Sequence, residues 1–171
     1  IIMKANLKIL LFILPVVFWS CSVKYSLTGA SISPETKTFQ VNYFQNNSTL
    51  IEPGIDRDFT NKLIDLLINQ TSLDLVKSNG DLLYEGEIVE YRISPTTATA
   101  NNTAAQNRLT ISVNVRFIDK SDSEAEFEKR FSFYYDYPGS SQLIGSQKDT
   151  AIDEIFERIT QDVFNASLAK W

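Results

Sequence analysis

The sequence predicts an α+β fold, an α/β sandwich in which two helices pack on one face of a mainly antiparallel, about four-stranded sheet. Two observations predict it: several stretches alternate apolar and polar residues, and two others carry apolar residues at helical spacing. Since every strand and helix has one apolar side, a single helical layer against one sheet face buries them all. The opposite sheet face is then polar and available to a partner.

The apolar periodicity divides the chain into seven elements and places turns or loops between them. In order, the elements are strand 37–44, helix 56–70, short strand 73–76, strand 82–93, strand 109–117, strand 127–137 and helix 150–168. Strand 109–117 alternates most strictly. The second helix is expected to begin with Thr150 and Asp153, which resemble a capping box.

Two segments depart from regular periodicity. In strand 82–93, Leu82 to Ile88 place apolar residues on one face, whereas Val89 to Ile93 place them on the other. A β-bulge near residues 86–89 would return both sets to one face. Residues 94–107 are rich in Thr, Ala and Asn and are expected to be a long loop, serving either partner contact or plain disorder.

The amino-terminal segment resembles an export signal. Lys4 and Lys8 precede an apolar run at 9–19, which is too short to span a bilayer, and Ser20 and Cys21 follow. The position of the lone cysteine resembles a bacterial lipobox, in which the cysteine is acylated and becomes the first mature residue. We therefore expect a signal peptide at 1–20, a lipidated tether at 21–36 and a single domain at 37–171.

Composition excludes several classes of function. The 171 residues contain no histidine and one cysteine, so histidine-based catalysis, histidine metal sites and an intramolecular disulfide are excluded. The net charge of −5 argues against a nucleic-acid partner, and loss of Lys4 and Lys8 with the leader makes the mature chain more acidic still. No phosphate-binding loop or nucleophile motif is present, so we expect no enzyme activity, no cofactor and no metal.

Two features leave a functional alternative open. Glu85 and Glu87 share one strand face about 7 Å apart, which is compatible with acid and base roles on a glycan. The simpler interpretation is a solvated face, or cross-strand partners for Arg116 or Arg130. The aromatic row of strand 127–137 similarly fits either a sugar-stacking surface or core packing.

An ordered set of motifs resembles the LptE family of lipopolysaccharide-assembly lipoproteins, in its Bacteroidetes form. The strongest block is Asn79-Gly80-Asp81-Leu82-x-Tyr84-Glu85-Gly86-Glu87-Ile88-x-x-Tyr91. Further similar segments are Cys21 with 25–29, Pro34 with 41–44, 59–60, 70–76, 107–111, 131–136, 161–165 and Trp171. The resemblance covers nearly the whole mature chain.

This resemblance implies a lipid-anchored outer-membrane protein that faces the periplasm or lies within a barrel lumen. It implies a role as plug and assembly partner of an LptD-like outer-membrane barrel in lipopolysaccharide transport. It also implies that basic residues could contact the lipid's phosphates, and the candidates for lipopolysaccharide or partner contact are Arg108, Arg116, Lys129 and Arg130. The alternative is a lipid-anchored regulatory or accessory binding domain for another envelope enzyme or export system.

Overall fold

The computed structural model describes residues 32–98 and 104–169 and folds them into one sheet with two helices on one of its faces. The predicted leader, Cys21 and most of the predicted tether lie outside these residues. The strands are β1 (Thr38–Val41), β2 (Gln45–Asn46), β3 (Asp74–Leu75), β4 (Leu82–Ala98), β5 (Ala104–Asp119) and β6 (Phe127–Pro138). The helices are α1 (Ile55–Gln70) and α2 (Gly145–Leu168), and a 3₁₀ turn at Ser123–Ala125 precedes β6.

The sheet has the strand order β3-β1-β4-β5-β6, and β2 also pairs with β4. β4, β5 and β6 are antiparallel, whereas β1 runs parallel to β3 and β4, and β2 runs parallel to β4. The predicted α+β class is confirmed, but the sheet is mixed and has six strands in the described chain. α1 forms the crossover connection that parallel strands require. β3 lies within the short strand predicted at 73–76, whereas β2 has only two residues and is too short to show alternation in the sequence.

The central strand β5 separates the core from the polar face. Its alternate residues Leu109, Ile111, Val113, Val115 and Phe117 are all fully buried. β6 follows β5 in one unbroken antiparallel register. Apart from Lys129 near the start of β6, the inner side chains of both strands are therefore mostly apolar, and α2 packs across them.

The predicted bulge in β4 is confirmed. The β4–β5 register shifts between Ile88 and Glu90, and this shift brings Tyr84, Ile88 and Tyr91 to the same buried side. Gly86 lies just before it and permits a close approach of the backbone. A Cβ at Gly86 would overlap the Asn114 carbonyl oxygen and lie 2.8 Å from the Phe44 ring.

Several predicted boundaries are wrong. The strand predicted at 37–44 ends at Val41. β4 continues to Ala98 and β5 begins at Ala104, so both ends of the predicted loop 94–107 are paired strand. Ladder hydrogen bonds join backbone groups, so pairing persists where apolar alternation has ceased. α2 begins at Gly145, ahead of Thr150, and Ile144 at its N-cap makes no side-chain cap hydrogen bond. Thr150 and Asp153 therefore lie inside the helix and do not form a capping box.

A chain of aromatic rings joins the helices to the strands. The Phe59 ring of α1 meets Phe44 at 5.0 Å and Phe156 of α2 at 5.2 Å between centroids, both edge to face. All three side chains are essentially fully buried. Deeper along α2, the Tyr84 hydroxyl hydrogen-bonds the Ser167 hydroxyl at 2.9 Å, which satisfies the one polar group of a completely buried ring.

Asp81 ties the start of β1 to the turn before β4. Its Oδ2 accepts hydrogen bonds from the Lys37 and Thr38 backbone N–H groups, both at 2.9 Å, and from the Thr38 hydroxyl at 2.8 Å. The Asp81 N–H donates back to Thr38 Oγ1 at 3.0 Å. The Lys37 and Thr38 hydrogen bonds hold the pKa of the Asp81 carboxyl below its ordinary value.

Replacing Phe59 tests the aromatic chain. Phe59→Ala leaves a cavity between the two helices and Phe44, which precedes β2, and should lower the free energy of unfolding by about 3–5 kcal/mol. Urea denaturation measures the change. Ile68→Ala, on the exposed side of the same helix, is the matched control and should change stability by about 0.5 kcal/mol or less. Equal effects of the two substitutions would contradict the packing described.

The Asp81 hydrogen bonds predict a dependence of stability on pH. Because its folded-state pKa is depressed, the carboxylate stabilises the fold above its unfolded pKa of about 3.9. That contribution is lost as the pH falls through the folded pKa. Asp81→Asn should be less stable than the wild type at pH 7 and lose less stability on acidification, as urea titrations from pH 7 to pH 3 would show. Asp65→Asn, an exposed α1 control, should retain the wild-type acid dependence.

Candidate functional site

The sheet face opposite the helices is mostly polar, apart from the Leu83–Ile118 pair at one end. We call it the polar face and define it by the alternate residues of β4, β5 and β6 that point away from the core. Its polar members include Glu85, Glu87, Glu90, Arg92, Ser94, Gln106, Arg108, Thr110, Ser112, Asn114, Arg116, Glu128, Arg130, Ser132, Tyr134 and Asp136. Since neither helix lies on this side in the described residues, the face is open to a partner.

Every arginine of the polar face is paired with a carboxylate. Arg116 lies 3.3 Å from Glu85 across the β4–β5 pair. Arg92 and Arg130 approach different oxygens of one carboxylate, Glu90, at 2.7 and 2.6 Å. The charges of this face are thus balanced within the sheet, although single exposed pairs of this kind contribute little stability on their own.

Glu90 is the centre of a polar network. Besides its two arginine partners, its Oε2 accepts a hydrogen bond from the Ser112 hydroxyl at 2.7 Å. Ser112 lies 2.9 Å from the Ser132 hydroxyl and is completely covered, although it points away from the core. Hydrogen bonds from Arg92 and Ser112 outweigh partial burial and hold the pKa of the Glu90 carboxyl below its ordinary value.

Arg108 and Asp136 form the second strong pair. The guanidinium Nε and one Nη each contact a different carboxylate oxygen at 2.7 Å, which is bidentate geometry. The guanidinium carbon also lies 3.5 Å from the centroid of the Tyr134 ring, in a cation–π stack. The Arg108 hydrogen bonds lower the pKa of the Asp136 carboxyl. This end of the face is therefore rigidly preorganised.

Glu85 and Glu87 are engaged by neighbours on the β1 side of the sheet. The Asn42 amide donates to Glu85 at 3.2 Å, and the Asn47 amide donates to Glu87 at 2.5 Å. Glu85 also has the cross-strand partner Arg116 that one interpretation predicted. An open concavity of about 470 Å³ lies over this part of the face, between these carboxylates and Asn114.

The structure brings three of the four predicted contact residues together. Arg108, Arg116 and Arg130 lie on the polar face and are all ion-paired. Lys129 instead pairs in register with Val115 and lies on the helix side of β6, with its Nζ 5.2 Å from the Phe131 ring centroid. Cys21, the predicted lipidation site, lies outside the described residues.

Sequence reasoning missed Glu90, Asp136 and Tyr134 as members of the face. Their partners lie on neighbouring strands, so only the β4–β5–β6 register reveals them. The aromatic row of β6 lies on the opposite side from the polar face. Phe131 and Tyr137 are buried and Phe133 and Tyr135 half-buried against the core, which favours core packing over a stacking surface.

Residues 32–98 and 104–169 contain neither a candidate metal site nor a helix able to span a membrane. Within these residues, no three His, Cys, Asp or Glu side chains come together in a way that could hold a metal ion. Neither helix there is long and apolar enough to cross a membrane.

Comparison with known proteins gives one family match. The family model described as "LptE: Lipopolysaccharide-assembly" matches residues 36–167. No curated protein matches the chain by sequence.

Solved structures resemble the fold at low sequence identity. A hypothetical protein, CT253 from Chlamydia trachomatis, superposes with a TM-score of 0.53 at 12% identity and covers 79% of this chain and 99% of its own. An uncharacterized lipoprotein B from Nitrosomonas europaea gives 0.52 at 10% identity and covers 84% and 87%. At these identities the likeness concerns the fold alone.

The Glu90 network makes a testable contribution to stability. Glu90→Gln removes the charge that two arginines share and weakens the acceptor of the Ser112 hydroxyl. It should lower the free energy of unfolding by about 1 kcal/mol at pH 7, measured by urea denaturation. Glu128→Gln, an exposed position on the same face, is the control and should be close to neutral. A neutral Glu90→Gln would show that the network is not formed in solution.

Proposed function

Because the chain belongs to the LptE family of lipopolysaccharide-assembly proteins, we propose that it is an outer-membrane lipoprotein that acts as plug and assembly partner of an LptD-like barrel. The proposal includes anchoring through an acylated Cys21 and a role in placing lipopolysaccharide in the outer membrane. The observation that carries it is the polar face, with its internally paired charges.

A plug inside a barrel meets two physical requirements. The interior of a large transmembrane barrel is polar, so the surface that meets it should be polar too. Contact also removes water from charged groups, which is costly unless each charge has a partner. On the polar face, the arginines already have carboxylates at 2.6–3.3 Å. A partner can therefore cover the face without leaving a buried arginine unpaired.

The one-sided architecture supports the same role. The apolar core lies entirely between the sheet and the two helices. A partner can thus cover the polar face while the core stays intact, which suits a rigid plug rather than a segment that folds on binding.

The proposed anchor fits the geometry of the domain. The Thr36 hydroxyl lies 3.3 Å from the Ser121 hydroxyl, just after β5 ends. The tether thus joins the domain at the end of the sheet opposite the extended β4–β5 strands at Ala98 and Ala104. Several acyl chains on Cys21 would hold the domain at a membrane and raise its effective concentration near a barrel in that membrane.

Direct contact with lipopolysaccharide remains part of the proposal at the four basic residues. At Arg108, Arg116 and Arg130, a lipid phosphate would have to compete with the carboxylate already bound. Lys129 has no carboxylate within ion-pair distance in the described part of the chain. The carboxylates that already pair with these arginines would therefore weaken any phosphate contact on the polar face.

Crosslinking in native membranes tests the partnership. The chain, crosslinked and purified from membranes, should carry an LptD-like barrel as its main partner by mass spectrometry, and its depletion should reduce surface lipopolysaccharide. Recovery of only free monomer with normal surface lipopolysaccharide would refute the proposal. Recovery of an envelope enzyme as the main partner would favour the accessory-domain alternative.

A matched pair of substitutions tests whether the polar face makes the contact. Asn114→Trp places a bulky ring at the centre of the polar face, and Asn61→Trp places the same ring on exposed α1. Asn114→Trp should reduce recovery of the barrel on the order of tenfold, which corresponds to a cost of about 1.4 kcal/mol for a misfitting side chain in the interface. Asn61→Trp should leave it unchanged. Circular dichroism of both variants checks that the fold is retained.

A further inference from the structure

Strand β6 forms a long free edge of the sheet. It has twelve residues and pairs with β5 in an unbroken register, and its backbone has no hydrogen-bonding strand on the other side in the described chain. The opposite edge strand, β3, has only two residues. An edge of this length presents a row of backbone donors and acceptors that another strand can use.

Two cations lie on the helix side of this edge. Lys129 of β6 has its Nζ 5.2 Å from the Phe131 ring centroid, and Arg158 of α2 has its guanidinium carbon 5.4 Å from the Phe133 centroid. In the part of the chain that is described, neither has a carboxylate within ion-pair distance, unlike every arginine of the polar face. The helix side of the edge therefore presents two cations without an ion-pair partner.

Lys129 and Arg158 favour an added strand that carries carboxylates. A strand added to β6 would lie about 4.8 Å away and direct every second side chain toward Lys129 and Arg158. Carboxylates at those alternate positions would be favoured, and cations would be repelled. A second copy of this chain is a poor occupant. Antiparallel pairing of two β6 strands centred on Phe133 would bring the two Arg158 side chains toward each other.

We propose that the β6 edge is a second interaction surface, which accepts an extended acidic segment of a partner protein as an additional strand. Backbone hydrogen bonds supply affinity, and the alternate carboxylates supply selectivity. This surface is distinct from the polar face, because it consists of the rim of the sheet and the flank of α2. It does not depend on the barrel partnership, and its test uses no barrel.

The test uses the full chain in nonionic detergent and three ten-residue peptides. One alternates Glu with Thr, and the two controls replace Glu by Gln or by Lys. Hydrogen exchange should show slowed amide exchange in residues 127–138 with the Glu peptide. At low salt, its affinity should exceed that of the Gln peptide on the order of tenfold, and the Lys peptide should not bind.

Charge reversal separates this surface from general attraction. The double variant Lys129→Glu with Arg158→Glu should lose the preference for the Glu peptide, whereas Arg57→Glu, an exposed control on α1, should retain it. Equal binding by both variants, or protection outside β6, would overturn the proposal. So would a β6-mediated dimer of the chain alone, or the same charge-dependent protection on vesicles of phosphatidylglycerol, which would indicate a lipid surface.

Discussion

The strict alternation of β5 is the constraint on which the rest of the structure depends. Five of its side chains are wholly buried beneath the helices, and the residues between them form the middle of the polar face. Successive side chains of a strand point to opposite sides, so a one-residue slip would exchange the two sets. The same backbone register thus determines both the hydrophobic core and the candidate site.

The polar face shows how an acidic chain presents arginines without presenting net positive charge. Glu90 holds Arg92 and Arg130, and Asp136 holds Arg108 in a bidentate pair. Such pairs contribute modestly to stability, but they fix side chains in place before any partner arrives. The unbalanced cations lie elsewhere, at Lys129 and Arg158 on the helix side of β6. The molecule therefore has two surfaces of different character, a face whose arginines are paired and an edge with two cations that have no ion-pair partner in the described residues.

Much of the fold could be predicted because the buried face of a helix or strand produces a periodic pattern of apolar residues in the sequence. Both helices, the three long strands, the short strand at Asp74–Leu75 and the bulge after Ile88 follow from apolar spacing. The parallel direction of β1 depends on the crossover connection and not on apolar spacing, so the sequence does not reveal it. Strand β2 has only two residues and is too short to show a periodic pattern. Likewise, the ends of the β4–β5 pair are held by backbone hydrogen bonds among Thr, Ala and Asn residues. The start of α2 at Gly145 was missed because no side chain caps it.

The sequence by itself determined the class of fold, the apolar faces of the helices and long strands, and the likeness to the LptE family, because hydrophobic spacing and ordered motifs are properties of the chain alone. It also indicated Arg108 and Arg116 as members of one polar strand face. Only the tertiary structure decided which carboxylate each arginine meets, and that Lys129 lies on the other side of the sheet with Arg158. Ion pairs and free edges depend on strand register and on helix placement, which join residues far apart in sequence. In this protein, the ion pairs formed in the folded structure determine which cations are available to a partner.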